Sequence, residues 1–196
     1  MVGVNLDLQA QMALLEKILA LNAPLWHVLE KASVLGLRDY YIGAGCVTQT
    51  IWNYQTGNDL NYGISDIDFV YYDHANLSFE AEDAQIQKIT SALSPCQHKL
   101  DIKNQARVHL WYKDHFGYGI EPYVSIESAI NSWPTVATAV GVRLENNTLR
   151  VYAPFGLNDL FGMVVRPNKA QITEDIYRKK TMKWYAKWPA LTIIPW

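Results

Sequence analysis

Asp66-Ile67-Asp68-Phe69-Val70-Tyr71-Tyr72 decides how this chain is read. Ile67, Phe69, Val70, Tyr71 and Tyr72 are β-branched or aromatic, so the run predicts a strand. Side chains at i and i+2 of a strand share a face, roughly 6.6 Å apart at about 3.3 Å per residue. Asp66 and Asp68 therefore stand side by side at its start. Two neighbouring carboxylates repel unless a cation lies between them. Magnesium takes oxygen ligands, commonly one or two carboxylates together with substrate phosphates. By itself the pair also reads as a polar strand entry with two solvated aspartates.

Upstream, Tyr40-Tyr41-Ile42 is a short β-prone run followed by Gly43-Ala44-Gly45-Cys46 and a helical segment, Val47 to Gln55, closed by Gly57. Strand, glycine turn and helix let backbone N–H groups and a helix dipole approach phosphate oxygens. The plainer reading is a tight turn. Downstream, a strand at Lys99 to Lys103 carries Asp101 between Leu100 and Ile102. If Asp101 joins Asp66 and Asp68, three carboxylates could hold two metal ions about 3.5–4 Å apart. Lys103, Asn104, Gln105 and Arg107 crowd polar groups behind Asp101 and suit either phosphate contacts or a solvated turn.

The rest of the chain supplies a frame. Leu8, Met12, Leu15 and Leu19, widened by Leu14, Ile18 and Leu21, predict an amphipathic helix that ends at Asn22-Ala23-Pro24. A second helix runs near Trp26 to Leu35. Residues 79–93 form a helix with Ser78 as N-cap, and 105–112 suit either helix or strand. Ser125 to Asn131, Leu157 to Phe161 and Ile172 to Trp188 read as helices, the last stopped by Pro189. Val140 to Leu144 and Leu149 to Tyr152 bracket a turn as a hairpin. The fold class is mixed α/β (α+β), one continuous domain: N-terminal helices over 1–37, a core over 38–125, and C-terminal helices and hairpin over 126–196.

Composition narrows the function. The chain has 196 residues, 49% hydrophobic and 18% charged, with net charge −2. That is globular composition, long enough to bury a core without staples and without the bulk positive charge of a nucleic-acid clamp. Cys46 and Cys96 make neither a disulfide framework nor a cysteine-rich zinc site, which suits a reducing, cytoplasmic compartment. The N-terminus has no basic leader, and no window approaches about 18 apolar residues, so neither a signal peptide nor a membrane role is expected. Sequon matches at Asn76 and Asn146 then have no glycosylation context. Walker A, zincin and nucleophile-elbow motifs are absent. Trp184, Tyr185 and Trp188 interleave with Lys179, Lys180, Lys183 and Lys187, a pattern that either binds nucleic acid or packs its rings and solvates its lysines.

In that order, Gly43 to Cys46, Asp66-Ile67-Asp68 and then Asp101, the chain resembles the polymerase-β-like nucleotidyltransferase superfamily. The stretches IWN, SDIDFVYYD, KNQARVHLWY, WPTVATAVGVRL and VYAPFGLNDLF resemble a bacterial family of small nucleotidyltransferases over roughly residues 38–190. The resemblance implies a short mixed sheet flanked by helices. It implies that Asp66, Asp68 and Asp101 bind magnesium, or manganese in its place. Gly43, Gly45 and Cys46, with Lys103 and Asn104, would contact a nucleoside triphosphate. The implied reaction moves a nucleoside monophosphate to the hydroxyl of an unidentified small-molecule or protein acceptor and releases pyrophosphate. Many superfamily members carry Gly-Ser where this chain has Gly45-Cys46, and a thiol is the weaker donor. Thr48-Gln49 replaces the basic-acidic pair of transfer-RNA nucleotidyltransferases, so a nucleic-acid partner is not expected. The rival expectation is a non-catalytic nucleotide-binding or interaction protein on the same fold.

Overall fold

The computed structural model describes residues 1–196. Two helices, α1 (Leu8–Leu21) and α2 (Ala23–Ser33), precede β1 (Tyr40–Gly43), α3 (Gly45–Thr56) and β2 (Asp66–Tyr71). Then come α4 (Phe79–Leu93), β3 (Lys99–Asn104), α5 (Val108–Phe116) and α6 (Ile126–Ile130). The hairpin β4 (Gly141–Glu145) and β5 (Thr148–Tyr152) follows, and then α7 (Asn158–Phe161), β6 (Val164–Val165), α8 (Glu174–Lys187) and β7 (Thr192–Ile193). The main sheet runs β3-β2-β1-β4-β5, with β2 and β3 parallel and the other neighbours antiparallel. It is a five-stranded mixed sheet flanked by helices, as the sequence predicts.

The period of two sorts the sheet's faces. Tyr40, Ile42, Ile67, Phe69 and Ile102 join the main core with Leu15, Ile18, Leu29, Ile51 and Phe161. Tyr40 stacks on Phe69, ring centroids 5.3 Å apart. The opposite face carries Asp66, Asp68 and Asp101, and beside them a smaller apolar cluster of Tyr41, Val70, Ile126, Ile130 and Ala139. The first two helices cover the core face, and no single helix is long and apolar enough to cross a membrane. The bent pair α1 and α2 has the apolar composition for it, but turns by 106° and buries Leu15, Leu19, Leu25 and Leu29 in the core.

Asn22 explains why α1 and α2 meet with no loop. It caps the end of α1, and its side chain accepts from the Leu25 amide to begin α2. Pro24 then occupies the first turn, where its missing N–H costs nothing, so α2 starts at Ala23 rather than near Trp26. Residues 105–112 resolve as a tight turn, Gln105–Arg107, leading into α5, because the Asn104 side-chain Oδ1 accepts from the Ala106 amide and caps the turn. β6 and β7 lack a sequence signal. They pair because Pro189 ends α8 and the tail folds back along Val164 and Val165.

Asn53, fully buried in α3, joins three segments. Its amide nitrogen donates to the Leu60 and Tyr62 carbonyls, ordering the loop before β2, and its oxygen accepts from Trp188 Nε1 at 2.7 Å. Trp188 also meets Trp52 edge-on, so the end of α8 is fixed on α3. Gly63 sits at φ +73°, and a Cβ there would lie 2.7 Å from the Trp188 ring. Asn53→Leu would strand these three partners. A loss of about 2–4 kcal/mol in urea unfolding is expected, and a loss under 0.5 kcal/mol would contradict the joining role.

Candidate active site

Register sets the site. Gly43 of β1 faces Asp68 of β2, which faces Asp101 of β3. One row across three strands thus holds a glycine and two carboxylates at strand spacing, about 4.8 Å. Asp66 lies two residues back on the same face, held by Ser65 Oγ, which donates to its carboxylate at 2.8 Å. A Cβ on Gly43 would lie 2.3 Å from the Val140 carbonyl oxygen, so glycine permits the close passage of β4.

From Gly43 the chain turns directly into α3. Ala44 takes φ +53° and ψ −123°, a conformation that L side chains rarely adopt, and donates its N–H to Val140 O at 3.0 Å. No N-cap side chain bonds the first turn of α3. Ala44, Gly45, Gln49, Ser65, Asp66, Asp68 and Asp101 line one cleft of about 390 Å³. Lys180 and Trp184 of α8 close its other side, with Trp133, Pro134 and Thr138.

Burial between apolar strands, then the charges of Asp66 and Asp101, push the Asp68 carboxyl up to about 7; Lys180 and Lys103 pull against them. A half-buried carboxylate crowded by two others is a donor set suited to a divalent cation, which would relieve the repulsion. The three are not drawn into a closed cage, and no trio of acidic, histidine or cysteine side chains is close enough to make one. Lys103 instead pairs with Asp101. Asp66, Asp68 and Asp101 are the residues that could hold a divalent cation in such an open site.

The structure brings Asp66, Asp68, Asp101, Gly45 and Lys103 to the cleft and its continuation. It does not bring Asn104. That side chain lies one residue beyond Lys103 and so on the opposite face. It is 2% exposed and occupied by the Asp73 backbone and the Ala106 amide. The Cys46 thiol is likewise buried and donates to Gly43 O at 3.1 Å. Burial raises its pKa, so it packs as a small apolar group while its backbone amide stays in the helix's first turn. The weaker donor strength of the thiol therefore has no bearing on a bound phosphate. Arg107 is held by Glu82 and Leu77 O, and Arg143 by Glu145 with its guanidinium over Tyr41. Both are structural.

Two cleft residues lay outside the sequence reading of the site. The sequence places Lys180 in a basic, aromatic helix; in the fold it lines the cleft, and its charge, then that of Lys103, opposes the rise at Asp68. Gln49 figures in the sequence only in the Thr48-Gln49 departure; its Oε1 finds no partner within the protein, and its Nε2 lies beside Gly45. Lys180 has no local signal, because α8 reaches the cleft only after folding, whereas Gln49 lies one turn beyond Gly45 on the same helix.

A mixed sheet with a glycine turn, two carboxylates on one strand and a third on the parallel neighbour defines a nucleotidyltransferase head. A family model described as nucleotidyltransferase matches residues 30–193, and the chain belongs to that family. A solved structure described as "The NMR structure of the protein reveals a CCA-adding enzyme head domain" superposes with a TM-score of 0.73. The two are 27% identical, over 92% of this chain and 96% of the other. No curated protein matches the sequence.

The raised Asp68 value has a signed consequence. In the unfolded chain Asp68 ionises near 3.8, and in the folded protein at about 7. Between those values the unfolded state binds fewer protons, so the metal-free protein loses stability as pH rises from about 4 to about 7. Asp68→Asn removes the loss. In EDTA at pH 8 the variant should gain on the order of 1–2 kcal/mol, roughly 4 °C in Tm, and the gain should vanish near pH 4. A lower Tm for the variant at pH 8 would refute the crowding.

Proposed function

We propose that the protein is a divalent-metal-dependent nucleotidyltransferase that moves a nucleoside monophosphate from a nucleoside triphosphate to an acceptor hydroxyl. One observation carries the reading: the uncapped start of α3 and all three carboxylates line the same cleft. Helix N-termini bind phosphate, and the first-turn amides at Gly45 and Cys46 would hold the terminal phosphates. Lys180 would meet their negative charge from the other side. A cation held by Asp66, Asp68 and Asp101 would supply charge neutralisation at the phosphates.

The chain's own groups account for the rest. The acceptor oxygen attacks the α-phosphorus and forms the new P–O bond. The bond to the bridging oxygen breaks, and pyrophosphate leaves on the α3 side. The hydroxyl proton passes to a carboxylate of the row, Asp101 being placed for it. In-line attack depends on positioning more than on covalent chemistry, which suits a rigid sheet edge.

Membership in the family and the likeness to a CCA-adding head support nucleotidyl transfer in general. The net charge of −2 and Thr48-Gln49 favour a small-molecule or protein acceptor over nucleic acid, in a cytoplasmic setting. The Asp101–Lys103 pair favours the second reading, a non-catalytic nucleotide binder, because a carboxylate already neutralised is a poorer metal ligand.

Thermal-shift titration with the four ribonucleoside triphosphates, with and without magnesium, separates them. A magnesium-dependent rise is expected, about 2.7 kcal/mol of stabilisation at a hundredfold over Kd, and it should disappear in Asp66→Asn. Pyrophosphate release should fall at least a hundredfold in Asp66→Asn and Asp101→Asn. Wild-type release from either variant would refute the metal-site assignment, and nucleotide binding with no release would establish the non-catalytic reading.

A further inference from the structure

The cleft does not end at the carboxylate row. Asp68, Asp101, Trp133, Pro134 and Lys180 also border a second chamber of about 260 Å³ on the far side from α3. Its walls are of another kind. Val108, Trp111, Tyr112 and Phe116 of α5 face Ile172 and Ile176, the latter on α8, across it. Tyr112 and Phe116 pack with ring centroids 4.4 Å apart and make an aromatic wall. Of its polar groups, Asp68, Asp101 and Lys180 lie on the shared edge, and Lys103 pairs with Asp101. Tyr123 already bonds Gln171 and Ser132. Gln105 is 5% exposed, lines the chamber, and offers a side-chain amide that no protein group engages.

The two chambers have opposed chemistry and share one edge, the Asp68–Asp101 row. In-line displacement puts the attacking oxygen opposite the leaving pyrophosphate. With pyrophosphate at the α3 amides, the attack comes from the aromatic side. Apolar walls with one or two placed polar groups are the usual make-up of a small-molecule pocket. We propose that this chamber is the acceptor site, and that the acceptor is a compact alcohol or phenol whose hydroxyl is borne on an aromatic body. Its ring lies between the α5 aromatics and Ile176, a polar substituent reaches the Gln105 amide, and its hydroxyl meets Asp101. This inference rests on the transfer reaction proposed above.

The test uses phenol, 2-phenylethanol and 2-naphthol as probes, on the full chain with Mg2+ and each triphosphate. Wild type should bind at least one probe by saturation-transfer NMR, and that probe should raise pyrophosphate release at least tenfold, with the phosphorylated probe seen by mass spectrometry as its nucleotidyl ester. Ile176→Trp fills the chamber and should abolish probe binding while keeping the magnesium–nucleotide thermal shift. Phe116→Ala, which opens the wall instead, gives the same readout if the larger substitution does not fold: probe binding at least tenfold weaker, nucleotide shift kept. Probes bound equally well by both variants overturn the acceptor assignment. Loss of the nucleotide shift together with probe binding overturns it too, since the chamber would then hold the nucleobase. A wild type with no nucleotide shift at all overturns the transfer reading itself, and is told apart from the other failures by that measurement.

Discussion

Three carboxylates on one sheet face repel each other, and most of the molecule's design follows from holding them there. Nothing local to Asp66, Asp68 and Asp101 favours their approach. The parallel pairing of β2 with β3 fixes Asp68 beside Asp101, and hydrophobic burial on the opposite face fixes that pairing. A register slip of one residue would turn Ile67, Phe69 and Ile102 toward water and the aspartates toward the core. The energy that keeps the charges together is therefore the burial of the strands' other faces. The elevated Asp68 value expresses that opposition.

The remaining parts of the cleft depend on the same row. Gly43 continues it into β1, and its missing side chain lets β4 pass close enough to take up the Ala44 amide. That bond belongs to the positive-φ turn that starts α3 beside the cleft the carboxylates line. The backbone thus carries strain at one residue, stabilised by pairing on both sides of it. On the opposite wall, α8 is set by the contact of Trp188 with Asn53 rather than by anything in the cleft. Lys180 and Trp184 are in position because a buried tryptophan one turn further on is in position.

Two sets of polar groups near the site look alike in sequence and diverge in space. Lys103 and Asn104 are neighbours, and strand alternation sends one to the cleft and the other to the Asp73 loop. Gly45 and Cys46 are neighbours as well, and the turn opens one to the cleft and buries the thiol of the other. In both pairs the period of the element separates chemistry from structure.

Strand alternation, the glycine turn and the apolar periodicity of the helices were legible in the residues themselves, because each is a local pattern repeated along a short stretch. They sufficed for the mixed fold, the shared face of Asp66 and Asp68, and Asp101 as a strand residue. Proximity of Asp101 to that pair was not local: it required a parallel register across the α4 crossover, which only the family resemblance suggested. Lys180 and the aromatic chamber were settled by tertiary structure alone. α5 and α8 lie far apart in the chain, and a residue's pattern within its own helix says which face is apolar but not which distant wall that face will meet. The sequence determined the reactive groups, and packing decided what surrounds them, because side-chain chemistry is a property of one residue and a cavity is a property of many.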